Sequence, residues 1–205
     1  MTFSDVQLAL IDAAEAIVAE SGLSALSLRK AGLRAGQYNN SAVQYHFGSR
    51  EGLVAAVLEA RLGPIDEARC EMLTELDAAG DYSVRDLMRI VVLPFTRAVS
   101  GKPGSCYARF LAQSLLDPSL AKIVLSGLQS SSSVEVTNRL SGRTGLSRML
   151  EGSRTLSAYA LIIVAMATWE AFPDSGPEVS ELEDDLVERA TAVMLAPSKR
   201  SNIGP

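Results

Sequence analysis

Apolar residues recur at helical intervals from one end of this chain to the other, and no segment alternates apolar with polar as a half-buried strand would. Leu8, Ile11, Ala14, Ile17 and Val18 form one such stripe, and Leu53, Val57, Leu58 and Leu62 another. Leu87, Ile90 and Val91 form a third, and Leu182, Leu186, Val187, Ala190, Val193 and Met194 a fourth. A one-striped helix must bury its stripe against another helix, so the chain is expected to be all-α.

Punctuation sets the element lengths. Ser4 with Gln7 forms a capping box that opens a first helix, and Gly22 closes it. Ser27 is the N-cap of a short second helix through Leu28, Ala31 and Ala35 to Gly36. Residues 37–40 read as a turn, residues 41–47 as a third short helix broken by Gly48, and Ser49 caps a fourth. Gly63-Pro64 is expected to interrupt that fourth helix. The chain then divides into residues 1–50, a linking helix over about 49–62, and a larger helical domain over 63–205. Within the larger part, Ser83 with Asp86 caps a helix that Pro94 should kink or end. Residues 107–116 are helical, residues 130–133 form a polar run, and residues 141–145 form a loop. Pro177 suits the first position of a last helix running to Leu195. Residues 156–169 are the most apolar stretch. At 14 residues they fall short of the roughly 20 that a bilayer span needs. They are expected to be buried on most sides, centrally or beneath another subunit.

Charge and residue types then narrow the function. The N-terminal stretch has no basic segment, and Asp5, Asp12 and Glu15 interrupt its apolar residues, so it does not read as a signal peptide. Cys70 and Cys106 are too far apart for a metal or redox motif and read as reduced thiols of a cytoplasmic protein. His46 is the single histidine, and there is no phosphate-cradling glycine loop. No catalytic set, metal site or cofactor is expected. The net charge is −5, yet residues 27–50 carry Arg29, Lys30, Arg34 and Arg50 with no Asp or Glu. Such a local excess is what a nucleic-acid contact requires inside an acidic protein.

The same region has the plan of a helix-turn-helix module: one helix to brace, one to cross the phosphate backbone, one to enter the major groove. Val43 and Phe47, four apart, anchor the third helix inward, which leaves Gln44, Tyr45 and His46 to face outward or sideways. Asn39, Asn40 and Ser41 stand at that helix's start, where side chains and N–H groups meet a phosphate or a base edge.

From Leu10 to Arg61 the chain resembles the DNA-binding domain of the TetR/AcrR regulators. The resemblance rests on Ser27 and Arg29, Ala35-Gly36, His46-Phe47, and Ser49-Arg50-Glu51 with Leu53. The chain departs from that pattern in three places: a turn one residue longer at 37–41, Gln44 where a tyrosine is usual, and Ala31-Gly32 in the second helix. The resemblance implies DNA contacts from Ser27, Arg29, Lys30, Asn39, Asn40, Ser41, Gln44, Tyr45, His46 and Arg50, with Arg50 as a phosphate clamp. It also implies a pseudo-palindromic operator, a homodimer formed through helices near 155–172 and 178–195, and repression relieved by a small, usually apolar effector. Met88, Phe95, Tyr107, Phe110, Met149, Tyr159, Met166 and Trp169 are the candidates for lining the effector cavity, though residues of these types are more often simple core. The competing reading is a helical protein-binding adaptor whose helix-turn-helix module no longer reads DNA.

Overall fold

The computed structural model describes residues 3–172 and 174–198. The described residues are helical with no strand. The elements are α1 (Asp5–Ser21), a single 3-10 turn (Leu23–Ala25), α2 (Leu28–Arg34), α3 (Asn40–Phe47), α4 (Arg50–Ala79), α5 (Val84–Ser100), α6 (Tyr107–Leu116), α7 (Ala121–Leu128), α8 (Ser131–Leu140), α9 (Arg148–Ala171) and α10 (Val179–Leu195). Local chemistry starts most of them. Ser4 and Gln7 satisfy each other's backbone N–H in a capping box, and Ser83 and Asp86 repeat the device at α5. Ser27, Ser49, Ser130 and Ser147 each accept a hydrogen bond from an N–H in the first turn of the helix that follows.

Two expectations are corrected and two are refined. Gly63-Pro64 does not interrupt α4, which runs unbroken through Pro64 for 30 residues. Gly63 and Pro64 both lie on its exposed side, where water can satisfy the carbonyl that proline leaves without a donor. α5 likewise continues past Pro94 to Ser100, its flanks held by burial from Val91 to Thr96. The polar run at 130–133 is the start of α8, with Ser130 as its cap. Pro177 lies one residue before the α10 cap, Glu178, rather than in the first turn.

α1, α2, α3 and the first half of α4 enclose a small core around Leu10, Ile11, Val18, Leu26, Val43 and Leu53. α5, α6, α9 and α10 pack as a bundle around Leu87, Met88, Phe110, Ile162, Met166 and Leu186, with α7 and α8 laid against α4. α9 is 24 residues long, and by length and composition it is apolar enough to cross a membrane. It is buried along one face only. Val164 on its other side is 52% exposed, and Phe172 at its C-terminal cap is 62% exposed. Its buried face also carries two acids with protein partners. Glu151 accepts a hydrogen bond from Thr144, and Glu170 accepts from Ser105 Oγ and from the Ala108 and Arg109 N–H groups at the start of α6. Such anchoring fits a core helix of a bundle.

Candidate nucleic-acid interface and effector cavity

The turn between α2 and α3 follows from two glycines. Gly36 takes φ +70°, and the hydrogen bonds Gly36 N–H to Leu33 carbonyl and Gln37 N–H to Gly32 carbonyl make a Schellman end. Gly32 lets α3 come close: a Cβ there would lie 3.0 Å from the Gln37 carbonyl and 3.1 Å from Val43 Cγ2. The propensity cost of a mid-helix glycine, about 1 kcal/mol, is thus exchanged for helix contact. Val43 and Phe47 then pin α3 to the core, at 1% and 9% exposure.

That anchoring decides which side chains face out. Ser41 and Gln44 are exposed, and Tyr45 is 88% exposed. His46 is half-buried, its ring between those of Tyr45 and Phe47 at 5.7 and 6.2 Å. Asn39 is exposed, and its Oδ1 accepts from the Ser41 N–H. The backbone of Asn40 opens α3, while its side chain lies outside the described residues. Tyr38, 82% exposed in the turn before α3, stands beside this face and was missed by a reading that took 37–40 only as punctuation. Its signal was available: an aromatic residue in a turn otherwise made of polar residues.

The four cations of this region do not act alike. Arg29 and Lys30 are exposed at the start of α2, and no ion pair holds either among the described residues. Arg34 is held by Glu20 through two hydrogen bonds of 2.6 and 2.7 Å. Arg50 is not the exposed clamp expected: half-buried, it donates from Nη2 to the Leu23 carbonyl at 3.1 Å, tying α4 to the 3-10 turn. The Leu23 carbonyl already accepts the Leu26 N–H within that turn, so Arg50 adds a second, charged donor to it. The Ser27 hydroxyl is likewise used within the protein, as the α2 cap, 3.2 Å from the Lys30 nitrogen.

The eight cavity candidates do not gather around one space. Met88, Tyr107, Phe110 and Met166 are packed core at 3% exposure or less. Met149 points outward at 88% exposure, because it lies in the first turn of α9, on its solvent side. Trp169 donates to the Pro177 carbonyl and lines a groove between α9 and the approach to α10. Tyr159 is the one candidate that reaches the cleft between α7, α8 and α9. That cleft, about 450 Å³, is walled by Leu125, Leu128, Val134, Thr137, Leu156 and Tyr159. Residue type alone was a poor guide, since Met and aromatic side chains fill cores as readily as they line cavities.

Among solved structures, the fatty acid degradation regulator FadR of Bacillus halodurans matches 98% of this chain and 100% of its own, with a TM-score of 0.67 at 14% identity. The transcriptional regulator FadR of Bacillus subtilis, solved in complex with stearoyl-CoA, matches 91% of this chain and 98% of its own, with a TM-score of 0.65 at 17% identity. A Rhodococcus sp. protein assigned as a TetR-family transcriptional regulator matches 93% and 100%, with a TM-score of 0.62 at 19% identity. The chain has the TetR-regulator fold. No family model matches it, and neither does any curated protein.

In this TetR-type fold the small N-terminal lobe is joined to the larger bundle by charge as well as by α4. Glu15, only 2% exposed, accepts from Arg61 Nε at 2.7 Å, and Arg61 also pairs with Asp12. Lys102, in the turn after α5, reaches Asp12 at 2.6 Å. Burial pushes the Glu15 carboxyl up from its usual range, against the pull of Arg61 and Lys102. Gln113 of α6 donates to the Val18 carbonyl near the end of α1 at 2.9 Å.

Proposed function

We propose that the protein is a cytoplasmic, homodimeric transcriptional regulator that reads a pseudo-palindromic DNA operator through α3 and is released by a small molecule bound in the larger bundle. The observation that carries the reading is the outer face of α3. A helix pinned by Val43 and Phe47 presents Ser41, Gln44 and Tyr45 to solvent, beside Arg29 and Lys30 at the start of α2. Phosphate contacts from those two cations would set affinity and salt dependence, and Gln44, Tyr45 and Tyr38 would set base preference. The regulators with the same fold support the assignment, and the complex of one of them with stearoyl-CoA supports a small-molecule ligand. Arg50 drops out of the contact set.

Dimerisation is supported by the exposed apolar surface of α9 and its cap, where Val164 and Phe172 face solvent. Pairing along α9 and α10 would set two copies of α3 roughly one duplex turn apart, ~34–36 Å. An effector acts by favouring the arrangement in which that separation no longer fits. Repression is the mode proposed, since a dimer seated at a promoter excludes other proteins from it.

The test is selection from a pool of random duplexes, with an Arg29→Ala/Tyr45→Ala variant as control. An enriched palindrome that the double variant fails to select is the expected result. Equal indifference of both proteins at low salt would remove the DNA reading and favour a protein-binding adaptor.

A further inference from the structure

Arg69 lies on α4, buried at 3% exposure, and no carboxylate pairs with it among the described residues. Its Nη2 donates to the Val91 carbonyl at 3.0 Å and its Nη1 to Ser133 Oγ at 3.3 Å, while Nε has no hydrogen-bond partner. Asp66, one turn earlier on α4, does not supply the missing charge: its two oxygens accept from Ser131 Oγ and the Ser132 N–H at the start of α8. A buried, always-charged guanidinium with neutral partners alone is costly, and native proteins pair such groups.

Donors outnumber acceptors around it. Tyr159 Oη donates to Ser133 Oγ at 2.9 Å, and Ser130 Oγ donates to the same oxygen at 3.0 Å, as Arg69 does. A hydroxyl oxygen has two lone pairs for these three donors. Ser133 and Tyr159 also belong to the wall of the α7–α8–α9 cleft. On the other side, Tyr159 and Arg69 border a small void with Phe95, Leu111 and Ile162. The cleft has apolar walls, includes the exposed Arg148, and has no Asp or Glu in its lining. Its volume, about 450 Å³, falls within the range of small-molecule sites.

We propose that this cleft binds an apolar molecule bearing one carboxylate, its tail along Leu125, Leu128 and Leu156 and its acid head at Tyr159 and Arg69. The head supplies the negative charge and acceptor oxygens that Arg69 lacks. A modest swing of the Tyr159 ring, which stands between cleft and void, admits it. Effector recognition is then recognition of an acid, a deepening of the ligand-responsive reading proposed above.

The test uses the full chain without DNA, so that its failure is distinguishable from failure of the operator reading. Binding of decanoate, decanol and decylamine is measured by calorimetry and by the shift in unfolding temperature. Decanoate is expected to bind at least about tenfold more tightly than the alcohol, the loss of a charged hydrogen bond, with the amine weakest. Arg69→Met, which keeps chain length and apolar volume, is expected to erase that preference, and Arg69→Lys to keep much of it. Tyr159→Phe removes one head-group donor without touching the charge and is expected to weaken decanoate alone. Equal binding of acid and alcohol, no binding of any of the three, or an undiminished preference in Arg69→Met would each overturn the proposal.

Discussion

Arg61 and Arg69 stand about two turns apart on α4, both turned into the protein, and they are surrounded in opposite ways. Arg61 meets Glu15 at 2.7 Å and pairs with Asp12, with Lys102 nearby on the same two acids. Arg69 meets a carbonyl, a hydroxyl and the face of Tyr159, 5.5 Å from its guanidinium, but no acid. The first is a completed joint: it ties α1 to α4 and to the turn after α5. The second is an incomplete one, and it borders a cleft. A buried charge therefore says little until its partners are counted.

The largest expected effect comes from breaking the completed joint. Arg61→Met leaves Glu15 buried without its main partner and should cost about 3 kcal/mol of unfolding free energy, read from urea midpoints. Adding Glu15→Met should recover most of that loss, because an apolar pair of similar volume removes both charges. Arg69→Met should move the other way or not at all. Without ligand its stability is expected to be unchanged or raised, by on the order of 1 kcal/mol. Equal losses in the two single variants would show that neutral donors and acceptors satisfy a buried arginine as well as acids do, and the comparison would collapse.

Local rules carried the sequence reading furthest. The boxes at Ser4 and Ser83, the caps at Ser27 and Ser49, and the inward Val43 and Phe47 depend on partners three or four residues away, and spacing exposes them. The outward set on α3 followed from the same period. Failures came where a residue's partner is distant in sequence or where context overrides propensity. Arg50 reads as an exposed cation until the 3-10 turn 27 residues earlier presents it with a carbonyl. Gly63-Pro64 reads as a break until the helix is seen to carry it on its wet side. Gly32 was legible only as a departure from the family pattern, and the 3.0 Å approach of the Gln37 carbonyl accounts for it. Arg69 gave no signal at all, since one arginine in an amphipathic helix is indistinguishable from a surface one before the α8 start and Tyr159 are laid over it.

A third charge on α4 sharpens the contrast with a smaller effect. Asp66 lies between the two arginines and is completed by dipoles rather than by an ion pair. Partial burial pushes its carboxyl up, but hydrogen bonds at the start of α8, among them those from the Ser131 hydroxyl and the Ser132 N–H, outweigh that and hold its pKa at about 2, below the ordinary 3.8. A carboxylate whose pKa falls on folding stabilises the native state. That contribution is whole above the unfolded value, 3.8, and is lost as pH falls through the folded value, about 2. Partial exposure screens it to on the order of 1 kcal/mol. Asp12 and Asp86 are also lowered, so the wild type softens in acid for several reasons. Only the difference between wild type and Asp66→Asn isolates this one. Unfolding free energies of the two proteins should differ by a constant near neutrality and converge as pH falls from 3.8 towards 2. Parallel curves across that interval would mean that α8 is held to α4 by packing alone, and that Ser131 and Ser132 leave the Asp66 carboxylate no more stable than water does.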